Sequence, residues 1–290
     1  MKTIFRKAVA TGLVWVSFAL IVAMCACHDS EKRNSTETAQ TTAQPAAAPT
    51  TTENSSVDNK ADNAVPPGAQ TLISCYPDFV KGYRDGKLVM ADGSTIVYDD
   101  GRKKSFVQLL DEADPEDMFA FKYDRNSWVP GERQDAGRSR CEALFKKMYG
   151  NSAAEVQRHL VSVPWFGGNV KFTTVNGADK HLRAVYAELQ KHPELHKYLK
   201  SSGTFYWRQV RGAKRLSAHS YGMTIDLGVE YSDYWQWAGH TTNEMARVPY
   251  KNKFPHEIVE IFERHGFIWG GRWYHYDTMH FEYRPEILRG

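Results

Sequence analysis

Met223-Thr224-Ile225-Asp226-Leu227 and Met279-His280-Phe281-Glu282-Tyr283 each alternate apolar and polar residues from end to end. Successive side chains of a β-strand point to opposite faces, so each stretch reads as a strand with one face in a core. Ile225 and Leu227 supply that face in the first, and Met279, Phe281 and Tyr283 in the second. The opposite faces carry Thr224 with Asp226, and His280 with Glu282. The first strand is entered through Ser217-Ala218-His219-Ser220-Tyr221-Gly222, where Gly222 permits a turn, and the second through Asp277-Thr278.

Two imidazoles and one carboxylate make a set of three ligands for a divalent metal and leave a fourth position open for water. A further carboxylate beside that water is what metal-assisted hydrolysis requires. His219, Asp226 and His280 are the candidate ligands and Asp277 the spare carboxylate. Asp277 is out of step with the polar face by one residue, so it reaches the centre only if the chain bulges or turns near Asp277–Thr278. An isolated His–Asp pair is more commonly an ordinary histidine and a capping aspartate, and the two strings carry weight only together. His275, two residues before Asp277, competes with His280 as ligand. Glu282 reads equally as a partner that fixes the tautomer of a ligand imidazole and as a surface carboxylate. Arg208 reads equally as an exposed strand end and as a guanidinium that binds a substrate carboxylate or an anionic intermediate.

Outward from these strings, helices and strands mix without a βαβ rhythm, which gives an α+β class with a small antiparallel sheet and flanking helices. Lys87–Met90 and Thr95–Val97 form a hairpin around Asp92-Gly93, because Asp-Gly supplies the positive φ of a tight turn. Phe106–Leu110 and Gly137–Tyr149 read as helical. Asn176–His192 is a helix capped by Asn176, with Leu182, Val185, Tyr186 and Leu189 in one apolar stripe. Phe205–Val210 reads as a strand, and Trp273–Tyr283 as strand-like. Pro255–Gly266 is a helix with Pro at its start and Gly past its end.

The chain has 290 residues and a formal charge of +3, too small and too dispersed for a nucleic-acid partner. Its 8 Trp and 15 Tyr suit both a core and a groove for a polar, extended ligand. Met1–Lys7 is basic, and the uncharged run Ala8–Cys27 follows it, the pattern of an export signal (residues 1–27). Ala26-Cys27 resembles a bacterial lipoprotein cleavage site, which would place a lipid on Cys27. Read instead as an uncleaved anchor, ~20 apolar residues are enough to span a bilayer. These two readings tie the chain to a membrane, ordinary secretion is a third, and all three place the folded part outside the cytoplasm, in a bacterial envelope. Residues 28–70 are Ser, Thr, Ala, Gln and Pro with few large apolar side chains, a disordered tether. Cys75 and Cys141 then remain, and in an oxidising compartment they are expected to pair.

Ser217-x-His219-x-x-Gly222-x-Thr224-x-Asp226 followed by Asp277-x-x-His280 resembles the signature of the zinc D-alanyl-D-alanine carboxypeptidases and L-alanyl-D-glutamate endopeptidases. This VanY-like group shares its fold with the hedgehog signalling domain. The resemblance covers roughly residues 176–288 and implies a zinc peptidase catalytic domain over 171–290. Residues 71–170 form an N-terminal part of the folded region, to which no catalytic motif transfers. The resemblance implies that His219, Asp226 and His280 bind Zn²⁺, that Asp277 is the general base, that Arg208 steadies substrate and oxyanion, and that His275 is a neighbour without a ligand role. Thr224 stands where a small apolar residue is more usual. The implied substrate is a peptidoglycan stem peptide. The rival expectation is a zinc-stabilised module that grips cell-wall peptide without cutting it, for which a retained Asp277 has no use. The loop Tyr231–Pro249, with Tyr234, Trp235 and Trp237, is expected to set which bond is reached.

Overall fold

The computed structural model describes residues 64–289. The leader and most of the tether lie outside the described residues, and helix α1 (Pro67–Cys75) already occupies the last part of the stretch read as tether. Strands β1 (Val80–Arg84), β2 (Lys87–Met90) and β3 (Thr95–Val97) follow as an antiparallel sheet in that order. β2 and β3 are the expected hairpin: Gly93 has φ +81°, and Asp92 Oδ1 accepts the Ser94 N–H at 3.1 Å. Helix α2 (Phe106–Asp111) is closed by a reciprocal cap between Ser105 and Gln108.

Helix α3 (Glu142–Tyr149) is shorter than the Gly137–Tyr149 read from the sequence. Gly137 has φ +96°, outside helical space, and a Cβ there would lie 2.3 Å from Ile268 Cδ1. Residues 135–138 turn instead, the Arg138 N–H reaching the Asp135 carbonyl at 2.9 Å. Helix α4 (Ala153–Gln157) and the hairpin β4 (Leu160–Trp165) and β5 (Gly168–Thr173) come next. Helix α5 (Ala178–Leu189) buries Leu182, Val185 and Leu189 as its stripe requires, but Asn176 does not cap it. Asn176 sits at φ +55°, and its amide donates to Tyr149 Oη at 3.3 Å, tying the turn to α3.

Strands β6 (Ser201–Gly203) and β7 (Thr224–Leu227), the short helix α6 (Trp235–Gly239), helix α7 (His256–Arg264) and strands β8 (Phe267–Trp269) and β9 (His280–Tyr283) complete the chain. They build a four-stranded sheet, order β6-β7-β9-β8, and every strand pair in the three sheets is antiparallel, so the class is α+β as read. Two extended expectations fail. Residues 205–210 form no strand and make only a single bridge, Gln209 to Leu216. The last strand begins at His280, because the chain turns at Thr278–Met279.

One face of the four-stranded sheet carries Ile225, Leu227 and Phe281, packed in one core with Leu182, Val185 and Leu189 of α5 and Ile258, Ile261 and Phe262 of α7. The Phe281 ring stacks on Phe262 at 4.1 Å between centroids and is fully buried. Phe281→Ala is therefore expected to lower unfolding free energy by about 3–5 kcal/mol, read from denaturant melts of the two proteins.

The expected Cys75–Cys141 disulfide is absent; both are free thiols. Cys75 ends α1 beside Arg289 and Glu286, whereas Cys141 occupies the N-cap position of α3, near the N–H groups of Ala143 and Leu144 and without a side-chain cap. Burial pushes both thiols up to about 11, so neither is a ready thiolate. Among the described residues, no helix is long and apolar enough to cross a membrane.

Candidate metal centre

The register of β7 on β9 sets the centre. Asp226 lies opposite His280, Ile225 opposite Phe281, and Thr224 opposite Glu282. Alternation then puts the four polar residues on one face and the two apolar ones in the core. His219 enters from the 3-10 turn Ala218–Tyr221 just before β7. That turn passes into the strand through Gly222 at φ +65°, where a Cβ would lie 2.5 Å from Leu160 Cδ2. A side chain at residue 222 would thus strain the backbone and push against β4, moving His219 relative to Asp226.

His219 Nε2 lies 3.2 Å from Asp226 Oδ2, and His280 Nδ1 lies 2.8 Å from Asp226 Oδ1. One ligand atom from each of the three residues falls within 4.8 Å of the others, a spacing that suits a shared metal ion. The far ring nitrogens are held by acceptors. His219 Nδ1 is 2.9 Å from the Thr204 carbonyl, which can only accept, so in the neutral ring this nitrogen carries the proton and Nε2 is left to present a lone pair. The buried Thr224 hydroxyl lies 2.9 Å from the same Nδ1 and donates to the same carbonyl. His280 Nε2 donates to Glu282 Oε1 at 3.0 Å, which turns Nδ1 toward Asp226. Fixed tautomers converging on one carboxylate are how metal-binding histidines are oriented, and the donor set fits a divalent ion.

Ion pairs and hydrogen bonds among these groups oppose the cost of burying their charges. Burial works against a charged His280, but hydrogen bonds to Asp226 and Glu282 outweigh it and push the imidazole up to about 10. Burial likewise opposes the Asp226 carboxylate, and the charges of His219 and His280 still hold it well below the usual range. Glu282 is held at about 2 against burial, chiefly by Arg140 and then by His280. A metal must therefore displace the His280 proton at neutral pH. Apparent metal affinity should rise about tenfold per pH unit from pH 7 to 9 as that proton becomes easier to remove. Calorimetry in buffers of different ionisation enthalpy should record at least one proton released per metal bound.

Asp277 reaches this cluster through the turn that ends just before β9. Its N–H donates to the Gly270 carbonyl at 3.0 Å and its carbonyl accepts from the His280 N–H at 3.2 Å, while residue 277 pairs singly with Tyr234. Gly270 is needed for that approach, since a Cβ there would lie 2.5 Å from the Asp277 carbonyl oxygen. Among the described residues, the buried Asp277 Oδ1 has no hydrogen-bond partner. Burial, followed by the nearby negative charge of Asp226, pushes its carboxyl up to about 7.

These groups line a cleft of about 440 Å³ with Arg138, Arg140, Arg208, Arg215, Tyr234 and Trp235 among its walls. Arg138 is paired with Asp135 at 2.9 Å and Glu244 at 2.7 Å, Arg215 with Glu244 and Asp111, and Arg140 with Glu282 at 3.2 Å. Arg208 has no carboxylate partner among the described residues; it donates to the Gln209 carbonyl at 3.2 Å and is exposed. A larger groove of about 1140 Å³ runs past Trp165, Phe166 and Ser201, but no carboxylate lines it and it lacks the means for this chemistry.

His275 does not join the set. Its N–H and its Nδ1 both bond Asp135, at 3.0 and 2.6 Å, and its Nε2 is buried without a partner in the wall of the cleft. Sequence reading missed Asp135, Arg138, Arg140 and Glu244. The only local sign was a short glycine-containing loop dense in charge, Asp135-Ala136-Gly137-Arg138-Ser139-Arg140.

Residues 211–283 match a family model described as D-alanyl-D-alanine carboxypeptidase. The matched quarter of the chain contains His219, Asp226, His275, Asp277, His280 and Glu282, and stops short of Arg208. Neither a search of curated proteins nor one of solved structures finds a match.

Proposed function

We propose that the cleft is the active site of a zinc-dependent peptidase that hydrolyses peptidoglycan stem peptides, as a D-alanyl-D-alanine carboxypeptidase or an L-alanyl-D-glutamate endopeptidase. The observation that carries this reading is the convergence of His219, Asp226 and His280 beside the unpartnered carboxylate oxygen of Asp277. The family match over the same residues supports it.

In this reading His219 Nε2, His280 Nδ1 and an Asp226 oxygen hold the zinc. Zinc bound there supplies Lewis acidity and brings the pKa of water toward ~7. The protein does the rest with its own groups. Asp277 takes the proton of the attacking water on its free oxygen and returns it to the leaving amine. It is a base only when ionised; burial and Asp226 resist ionisation, and a cation at the centre favours it. Arg208, without an ion pair among the described residues, is placed to meet the charge that develops on the substrate carbonyl or the carboxylate at the end of the peptide. Tyr234 and Trp235 form one wall, and half-exposed Trp237 packs edge-on against Tyr234. The Tyr234 and Trp237 rings offer flat surface to an extended peptide.

The export signal and Cys27 would deliver this activity to the bacterial envelope, where its substrate lies. A module that only grips peptide has no need of a buried carboxylate raised toward neutrality beside its metal. Incubation of the zinc-loaded full chain with purified muropeptides, followed by mass spectrometry, tests the reading. Loss of a terminal D-alanine or scission after L-alanine is expected. Stem peptides that are bound but stay intact would establish the binding module instead.

A further inference from the structure

The loop 135–140 lies outside the family match, yet its Arg140 reaches both strings that form the metal centre. The Arg140 side chain is buried, and its Nη1 donates to Glu282 Oε1 at 3.2 Å, the oxygen that also accepts from His280 Nε2 at 3.0 Å. Its Nη2 donates to the Leu216 carbonyl at 3.3 Å, and the Leu216 N–H is held by Glu142 Oε2 at 3.0 Å. Leu216 immediately precedes the turn that carries His219. The second Glu282 oxygen accepts from Arg284 at 3.2 Å, and Arg284 is anchored by Glu286 and by the Gly137 carbonyl of the same loop.

A buried carboxylate stays ionised only where compensating charge surrounds it. Glu282 is almost fully buried and has two guanidinium groups and one imidazole as partners. Without Arg140, Glu282 would be drawn toward Arg284, its other guanidinium partner, and away from the His280 ring. Leu216 would lose the hydrogen bond to its carbonyl at the same time.

We propose that Arg140 is a positioning residue of the metal centre, orienting His280 through Glu282 and the His219 turn through Leu216. The segment before residue 171 is then a working part of the site and not a separate module. This inference rests on the reading of the cleft as a metal site.

The test uses the full chain stripped of metal and titrated with zinc against a chromophoric chelator. Arg140→Met is expected to weaken zinc binding about 10–100-fold, the range for loss of a partner that orients a ligand. Glu282→Gln should fall in the same range, and Arg140→Lys should recover part of the loss. A purely structural role would lower the melting temperature of the metal-free protein and leave zinc affinity unchanged. Folded Arg140→Met with wild-type zinc affinity overturns the inference. If that variant does not fold, Glu282→Gln, which keeps the side-chain shape, decides: affinity within about twofold of wild type overturns it. Failure of the wild-type protein to take up zinc overturns the reading of the cleft, and this inference with it.

Discussion

Asp277→Asn is expected to lower stem-peptide hydrolysis by about 10²–10⁴-fold and to leave zinc bound, because it removes a general base and no ligand. The amide keeps the size of the side chain and leaves the main-chain bonds to Gly270 and His280 in place. What it removes is a proton acceptor at an oxygen that has no other partner. The wild-type rate should fall on the acid side as Asp277 gains its proton, about tenfold per pH unit below the inflection. That inflection should lie below about 7, since the carboxyl is raised to that value with no cation present and a bound cation lowers it. The acid limb should vanish in Asp277→Asn. Loss of zinc from this variant would show that Asp277 is a ligand and that the division of roles is wrong.

His219→Ala is the second large effect. It removes a ligand outright and leaves Asp226 and His280 facing a gap in a buried turn, so zinc affinity should fall by more than the ~100-fold upper limit for loss of an outer partner. Hydrolysis should disappear with it at micromolar zinc. His275→Ala should retain the metal, because that ring bonds Asp135 and not the Asp226 cluster. Zinc content by elemental analysis after gel filtration distinguishes the two. A zinc-free His275→Ala with a zinc-loaded His219→Ala would reverse the ligand assignment.

The parts of this protein that were legible in the sequence have a short period or a local turn. Alternation gave β7 and β9, Asp92-Gly93 gave the β2–β3 hairpin, and the flanking Pro255 and Gly266 bracketed α7. Alternation also placed Asp226 and His280 on polar faces, although only the antiparallel register put them opposite each other. Illegible features depend on contacts distant in sequence. Arg140 and Glu282 are separated by 142 positions, and Asp135 and His275 by 140, so no local pattern marks either pair. Positive φ at Gly137 and Asn176 displaced the starts of α3 and α5 in ways that composition does not reveal. The pairing expected of Cys75 and Cys141 rests on their number and on an oxidising compartment, neither of which fixes position, and the fold gives each a different set of neighbours.

The central claim is that one divalent ion, held by His219, Asp226 and His280 beside Asp277, makes the cleft a peptidase. Titrating zinc into metal-free protein while following cleavage of a purified stem peptide tests it most directly. Product formation should be absent at the start, rise in proportion to added zinc and level off at one equivalent. Full activity in the metal-free protein, or no product at any zinc level while the peptide still binds, would contradict it.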